Sequence, residues 1–156
     1  MFTIEEIYAA VIREGVSRGF SVVPEFSVAA ADKTFKKRID VAWLLPRNDE
    51  AKNGSLRRWK IAAAFEIEGY DVPLDRIELH SAQFNRLQND WGESFPCFVP
   101  LYTIATHRSN AHWGSETPDR YIADRKQAAE RSGSVVTIID ARVQNWLSEF
   151  GCRASG

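Results

Sequence analysis

The sequence has little of what crosslinks a small fold or anchors a chain in a membrane. Its 156 residues include two cysteines, Cys97 and Cys152, which form neither a metal-ligand spacing nor a disulfide framework. No stretch approaches the roughly 18 apolar residues of a membrane span, and acidic Glu5 and Glu6 stand where a signal peptide would be basic. We therefore expect a cytoplasmic protein that has no membrane partner and depends on its hydrophobic core.

Net charge is also nearly absent, because 20 basic and 21 acidic residues leave a formal charge of −1. This balance excludes a general polyanion-binding tail but is compatible with a local basic edge. With 44% hydrophobic and 26% charged residues, the composition is that of a globular protein. A chain of this length buries about 70% of its unfolded surface. We therefore predict one domain, in which Cys97 is a small core residue rather than a nucleophile.

Hydrophobic periodicity predicts a single α/β domain with a mixed central sheet flanked by helices, in the order α-β-β-β-α-β-α-β-α. Thr3 and Glu6 form a capping-box pattern at the first helix. Pro24 restricts the first strand to a sheet edge or breaks it, and Pro73 is placed to begin the second helix. The strands are predicted at about 20–28, 38–45, 59–68, 97–105 and 134–140, and the later helices at about 73–88, 118–130 and 143–150. These elements make an α-β-β-β-α-β core over about 3–106 and an α-β-α extension over about 118–150.

Three carboxylates interrupt two of these strands. Asp40 lies in RIDVAWLL, and Glu66 and Glu68 lie in AAAFEIE, two runs joined by a polar loop and expected to form an antiparallel hairpin. If paired residue numbers add to an even value of about 104 to 106, the three acids share one face at the open end of the hairpin, whereas an odd register separates them. The opposite face supplies the predicted core residues Val41, Trp43, Phe65 and Ile67.

Half-buried carboxylates that lie together repel at neutral pH, so they need a cation, a shared proton or a basic partner. A divalent hard cation such as Mg²⁺ or Mn²⁺ satisfies this need with oxygen ligands. Asp40, Glu66 and the backbone carbonyl of Ile67 are the predicted ligands. Such an ion lowers the pKa of a bound water and stabilises charge on a phosphoryl oxygen.

At these acids the sequence resembles the PD-(D/E)XK phosphodiesterase superfamily, the restriction-endonuclease-like fold. The family core is a helix, three antiparallel strands, a helix and a further strand, an order that residues 3–106 share. In RIDVAWL and AAFEIEG, Asp40 fills the first acidic position of the family motif and Glu66 the second. Glu68 stands where the motif has lysine, and certain restriction enzymes of the family also carry glutamate there.

The resemblance implies a metal-dependent nuclease that hydrolyses phosphodiester bonds, with DNA a better candidate substrate than RNA. Asp40 and Glu66 would bind Mg²⁺ or Mn²⁺, and Glu68 would be a third ligand or would orient the attacking water. Glu25 is a candidate to complete the metal shell. A single small domain leaves little room for sequence readout, so a specific activity would need a homodimer or a partner protein.

Basic and polar residues near the acids are candidates for supporting roles. The missing motif lysine would be replaced by a cation from Arg38, Lys37 or the following helix. On that helix, Gln83 is a candidate to brace the metal site and Arg86 to contact nucleic acid. Lys36 and Lys37, which precede Asp40, could grip phosphates beside the acids.

Two other interpretations stay open. The missing lysine also fits a catalytically inactive nuclease fold that binds nucleic acid or a protein partner, and metal binding by the acids would separate the two cases. The second is an α/β protein of unrelated topology, whose acids face solvent on one side of the sheet. In that case the acids form surface ion pairs with the basic run Lys36, Lys37 and Arg38.

Overall fold

A six-stranded mixed sheet with helices on both faces forms the fold. The computed structural model describes residues 3–29, 36–47, 58–103, 117–152 and 154, apart from the side chains of residues 29, 36 and 117. The single-domain α/β prediction is confirmed. In chain order the elements are α1 (Ile4–Ser17), β1 (Ser21–Ala29), β2 (Lys36–Pro46), β3 (Trp59–Phe65), β4 (Glu68–Gly69), α2 (Leu74–Trp91), β5 (Cys97–Tyr102), α3 (Thr117–Ser132), β6 (Val136–Asp140) and a short 3-10 helix (Trp146–Glu149).

The sheet changes from antiparallel to parallel pairing at β3. Strands β1, β2 and β3 pair antiparallel in that order, whereas β5 pairs parallel with β3 and β6. Strand β4 continues β3 along β5, because Phe65 pairs with Phe98 and Glu68 with Leu101 at the same offset. Strand β1 lies at the sheet edge, as Pro24 predicts.

Of the two registers that the sequence leaves open between β2 and β3, the structure has the even one at the open end of the hairpin. Val41 pairs with Phe65 and Trp43 with Ala63. From Leu44 towards the loop, the register is shifted by one residue. All four predicted core residues on this face are buried. Ile39, predicted on the same face as Val41, instead joins the core on the other side of the sheet. The alternation of side chains along β2 changes between Ile39 and Val41, next to Glu25 of β1, which has a positive φ of 55°.

Each face of the sheet has its own hydrophobic core. Helices α2 and α3 cover one face through side chains that include Ile77, Phe84 and Ile122. Helix α1 and the C-terminal segment cover the other face. The second core is built around stacked and edge-on aromatic rings: Phe20, Trp43, Phe65, Phe98, Trp146 and Phe150.

The predicted C-terminal helix over residues 143–150 is wrong. The chain forms turns there and then a single 3-10 turn at Trp146–Glu149. Asn145 adopts a left-handed φ of 67°, which interrupts α-helical geometry before Trp146. Trp146 and Phe150 are still buried, but Val143 is exposed. The burial of Trp146 and Phe150 therefore does not require an α-helix in this segment.

Within the described ranges, none of the helices combines the length and apolar character needed to cross a membrane. Helix α1 begins with the predicted capping box, since Thr3 and Glu6 bond reciprocally through their side chains and backbone amides. Helix α2 begins after Pro73 and ends at Gly92, which has the left-handed φ of 65° that favours glycine.

Helix α1 approaches the sheet most closely at Gly15. The Trp43 indole N–H donates to the carbonyl of Val11 at 3.1 Å. A Cβ atom on Gly15 would lie 2.3 Å from Trp43 Nε1 and 2.6 Å from Val22 Cγ2. These distances are too short for any side chain, so glycine is required here for packing.

We expect Gly15→Ala to lower the free energy of unfolding by about 2 kcal/mol or more, because the added methyl group overpacks the core. The gain in helix propensity, at most about 1 kcal/mol, does not offset this clash. Urea unfolding measures the change. The control is Gly151→Ala, whose Cβ would have no neighbour within 4 Å. Equal stability of the two variants would contradict the close approach of α1.

Candidate functional site

Asp40 and Glu66 meet where strands β2 and β3 separate. Beyond the Val41–Phe65 pair, the register brings Asp40 opposite Glu66. There Asp40 Oδ2 accepts a hydrogen bond of 2.9 Å from the backbone N–H of Ile67, and the N–H of Glu66 donates 3.0 Å to the Phe98 carbonyl. The Asp40 side chain thus satisfies a backbone donor at the point where the antiparallel pairing ends.

Glu66 is a buried carboxyl group, only 4% exposed. Its side chain forms an ion pair with Lys37 and a hydrogen bond with Asp40. A hydrogen bond between two carboxyl groups requires a proton on one of them. Burial, and then the negative charge of Asp40, raise the pKa of Glu66 to about 8, although Lys37 opposes this shift. The repulsion expected between neighbouring carboxylates is therefore relieved in two ways at this site, by a basic partner and by a shared proton.

Lys37 lies inside the fold rather than on the surface where a phosphate contact was expected. Its side chain is 5% exposed, and its ammonium contacts the Glu66 carboxylate. The same ammonium lies 4.9 Å from the centre of the Phe84 ring on α2, a cation–π contact. This geometry also corrects the solvent-facing interpretation of Glu66, because the ion pair that it forms is buried.

Tyr8, on the inner stripe of helix α1, is a site residue that is absent from the candidates predicted from the sequence. Its hydroxyl group is hydrogen-bonded to Asp40, and burial followed by the negative charge of Asp40 raises the pKa of Tyr8. The phenol therefore stays protonated and donates to the carboxylate. Its position on the inner stripe was visible in the sequence, but the reach of its hydroxyl to a strand terminus was not.

Glu68 contacts helix α2. Its Oε1 atom lies 3.0 Å from His80 Nε2 and 3.5 Å from Arg76 Nη1. His80, in the middle of α2, is only 9% exposed. The structure thus joins Asp40 and Glu66 directly and gives Glu68 partners on the helix.

The other predicted site residues take separate positions. Glu25 neighbours Asp40 across the β1–β2 ladder and forms an exposed ion pair of 2.9 Å with Arg38. On α2, Gln83 is half-buried and Arg86 is exposed. The side chain of Lys36 lies outside the described part of the chain.

Cys97 is the buried core residue predicted from its apolar run. Burial raises the pKa of its thiol to about 12, so the thiolate that a nucleophile needs is strongly disfavoured. Gln88 on α2 contacts the sulfur at 3.7 Å and donates to the Phe95 carbonyl at 2.7 Å. These contacts give Cys97 a structural role next to the Lys37–Glu66 pair.

We call the point where β2 and β3 separate, at Asp40 and Glu66, the fork. Its oxygen atoms are of the type that binds a hard divalent cation. Two carboxyl groups in contact, beside the backbone of Ile67, offer the oxygen ligands that Mg²⁺ prefers. The residues that the structure describes include no group of three His, Cys, Asp or Glu side chains arranged to hold a metal ion. A cation would therefore rely on Asp40 and Glu66 as its side-chain ligands unless Glu68 turned towards them.

No protein-family model, curated protein or solved structure matches this chain. The resemblance to the PD-(D/E)XK superfamily therefore depends on the order of the elements and on the acids themselves. The geometry of the fork is the main source of functional inference.

We expect the stability of the protein to fall as pH rises through the titration of Glu66. The native state holds this proton up to about pH 8, whereas the unfolded chain releases it near the ordinary pKa of 4.5. The proton-linked stability is therefore fully present below pH 4.5, declines above it and is lost once the pH exceeds about 8.

Thermal melts between pH 5 and 9 measure this effect as the difference between wild type and Glu66→Gln, which keeps the side chain neutral. The difference should shrink or reverse in favour of Glu66→Gln as pH rises. The control is Glu130→Gln, the same change at an exposed position of α3. Parallel melting curves for wild type and Glu66→Gln would contradict the raised pKa.

Proposed function

We propose that this protein is a metal-dependent nuclease of the PD-(D/E)XK type, in which Lys37 supplies the amine that the motif lacks. One observation carries the proposal: the Lys37 ammonium contacts the buried Glu66 carboxylate, which is itself hydrogen-bonded to Asp40. Two acids and an amine thus meet where two strands separate, each held by a defined partner.

Lys37 reaches this point from a different strand than the motif lysine would. The motif lysine would follow Glu66 by two residues, at the position of Glu68, whereas Lys37 precedes Asp40 by three residues on β2. A buried ammonium beside the second acid can stabilise negative charge that develops on a phosphoryl oxygen. The required charge is therefore supplied from a neighbouring strand.

The chain's own groups have distinct roles in this proposal. Asp40, Glu66 and the Ile67 carbonyl would hold Mg²⁺ or Mn²⁺, which when bound supplies an activated water and stabilises phosphoryl charge. Tyr8 donates a hydrogen bond to Asp40 and orients its side chain. Glu66 must lose its proton before it can bind a cation, so metal affinity rises with pH.

A second candidate function follows from the same ion pair. Lys37 neutralises Glu66, and a shared proton satisfies the contact between Glu66 and Asp40. The acids are then satisfied without any cation, as in a nuclease fold that only binds nucleic acid or a protein. Metal binding separates this alternative from the nuclease.

We expect millimolar Mn²⁺ or Mg²⁺ to raise the melting temperature of chelator-treated protein by about 5 °C, because a ligand of the native state stabilises it. The rise should be larger at pH 8.5 than at pH 6.5, since Glu66 is then ionised. Asp40→Ala should remove most of the rise, whereas the control Asp124→Ala, at an exposed position of α3, should keep it. An unchanged melting curve at both pH values would reject the metal site.

We expect the wild type to nick plasmid DNA in the presence of Mg²⁺ or Mn²⁺, and Asp40→Asn and Glu66→Gln to abolish nicking. These amides keep the shape of the side chains but remove the charge that binds the ion. Lys37→Met should reduce the rate by about 100-fold at saturating Mn²⁺, because it removes one source of transition-state stabilisation. Lys60→Met is the matched control at an exposed position of β3.

The same assay on RNA tests the preference for DNA. Wild type that binds no Mn²⁺ and cuts neither DNA nor RNA would support the binding module instead. Full activity of Lys37→Met would remove the lysine from the mechanism while leaving the nuclease in place. Melting curves of each variant without metal confirm that the fold persists.

A further inference from the structure

We propose that the outer edge of strand β6 is the interface of a homodimer, in which β6 pairs antiparallel with β6 of a second copy of this chain. The two-fold axis of this pair lies at Thr137. Strand β6 pairs with β5 on one side, and the described part of the chain places no strand on its other side. The inference goes beyond the proposed nuclease and does not depend on a cation.

Strand β6 lacks the features that protect the β1 edge of the sheet. Strand β1 contains Pro24 and the positive φ of Glu25, and a proline or an irregular backbone hinders pairing between sheet edges. The β6 residues Val136–Asp140, with the sequence VTIID, include no proline, no lysine and no positive φ. The backbone of β6 is therefore regular enough to accept another strand.

The pairing of β6 with β5 determines which of its backbone groups face outward. The N–H of Ala141 donates to the Leu101 carbonyl at 3.0 Å, so residue 141 faces β5. Alternate residues of a strand bond to the same neighbour. Thr137 therefore also faces β5 with its backbone, whereas Val136 and Ile138 direct their N–H and C=O groups away from it.

These outward groups match those of a second copy. The Val136 N–H donates to Ser134 Oγ at 3.2 Å, whereas the Val136 carbonyl and both backbone groups of Ile138 have no partner among the described residues. In an antiparallel pair centred on Thr137, the Ile138 N–H of each copy meets the Val136 carbonyl of the other. The exposed Thr137 then lies directly opposite Thr137 of the second copy, a favourable cross-strand pair.

Charged side chains flank this edge in a self-complementary pattern. A groove of about 310 Å³ runs beside Val136 and Ile138, with Lys126 and Glu130 of α3 and Glu149 of the 3-10 helix among its lining residues. Lys126 and Glu130 are four residues apart, so they share one side of the helix with a rise of about 6 Å. This rise is close to the distance of about 6.6 Å that two residues span along a strand.

The direction of α3 determines which charges meet. At the start of α3, Asp119 contacts Arg142, just beyond the C-terminal end of β6, at 2.6 Å, and the end of α3 leads directly into β6. Lys126 therefore lies nearer the C-terminal end of the strand, and Glu130 nearer its N-terminal end. A two-fold axis at Thr137 exchanges these ends, so Lys126 of each copy lies opposite Glu130 of the other. A second copy thus supplies both complementary charges without any further requirement.

Sedimentation velocity between about 1 and 200 μM tests the proposal in the range expected for a small interface. We expect the wild type to change from one chain to two as its concentration rises. Thr137→Asp should weaken association by about tenfold or more, because it places like charges directly opposite each other. The control Thr137→Val, which keeps the shape of the side chain, should stay within about threefold of wild type.

The charges on α3 provide a sharper test. Lys126→Glu and Glu130→Lys should each weaken self-association by about tenfold, since each places like charges across the interface. The double variant Lys126→Glu/Glu130→Lys should dimerise like the wild type. An equimolar mixture of the two single variants should form a heterodimer, because one copy then carries two acids and the other two bases. The control Asp124→Lys, at an exposed position on another side of α3, should leave dimerisation unchanged.

Wild type that sediments as a monomer at every concentration would overturn the proposal and leave the β6 edge to an extended segment of another protein. A dimer that none of these variants weakens would also overturn it, because its interface would lie elsewhere. Failure of the mixed single variants to associate would reject the antiparallel pair about Thr137. Melting curves show whether each variant folds, and if Thr137→Asp does not, the α3 variants carry the test. None of these outcomes bears on metal binding, so the nuclease proposal is tested separately.

Discussion

The buried ion pair between Lys37 and Glu66 is the interaction on which the rest of the site depends. Both side chains are only 5% exposed, so the Lys37 charge is balanced by Glu66 and by the proton shared with Asp40 rather than by water. Loss of one partner would leave the other charge buried alone, which is far more costly than the pair itself. Three elements must therefore be in place together: the start of β2, the end of β3 and the Phe84 turn of α2.

The change from antiparallel to parallel pairing explains why polar groups collect at this point. Strand β2 pairs with β3 only from Val41 onwards, so the two strands separate on the Asp40 side of this residue, while the β3 chain continues along β5 through Glu66 and Ile67. The departing strand exposes backbone donors that need partners, and the Asp40 carboxylate accepts one of them. The fold thus provides a structural reason for an acid at position 40, independent of any cation.

The sequence predicted the framework of this site better than its contacts. Alternating apolar residues placed Asp40 and Glu66 on facing strands but left the register open. Counted from the loop the register is odd, and the shift between Trp43 and Leu44 makes it even and brings the two acids face to face. Lys37 was named as a source of positive charge, but the burial of its ammonium depends on the reach of a flexible side chain. No pattern of one strand contains that information.

The errors have local physical causes. The C-terminal helix failed because the left-handed backbone at Asn145 does not alter hydrophobic spacing. A polar residue on a helix usually faces water, whereas His80 is buried because a carboxylate from the sheet provides its partner. Whether a polar residue is buried therefore depends on partners that are distant in sequence.

In the proposed nuclease, the position of Lys37 also accounts for a glutamate at position 68. When the amine comes from β2, an ammonium at position 68 is not needed beside Glu66, and a second cation there would repel Lys37. His80 and Arg76 instead bind the Glu68 carboxylate, and they do so from the helix that also packs against Lys37. Glu68 on the sheet and the buried Lys37 on β2 are therefore two parts of one electrostatic arrangement.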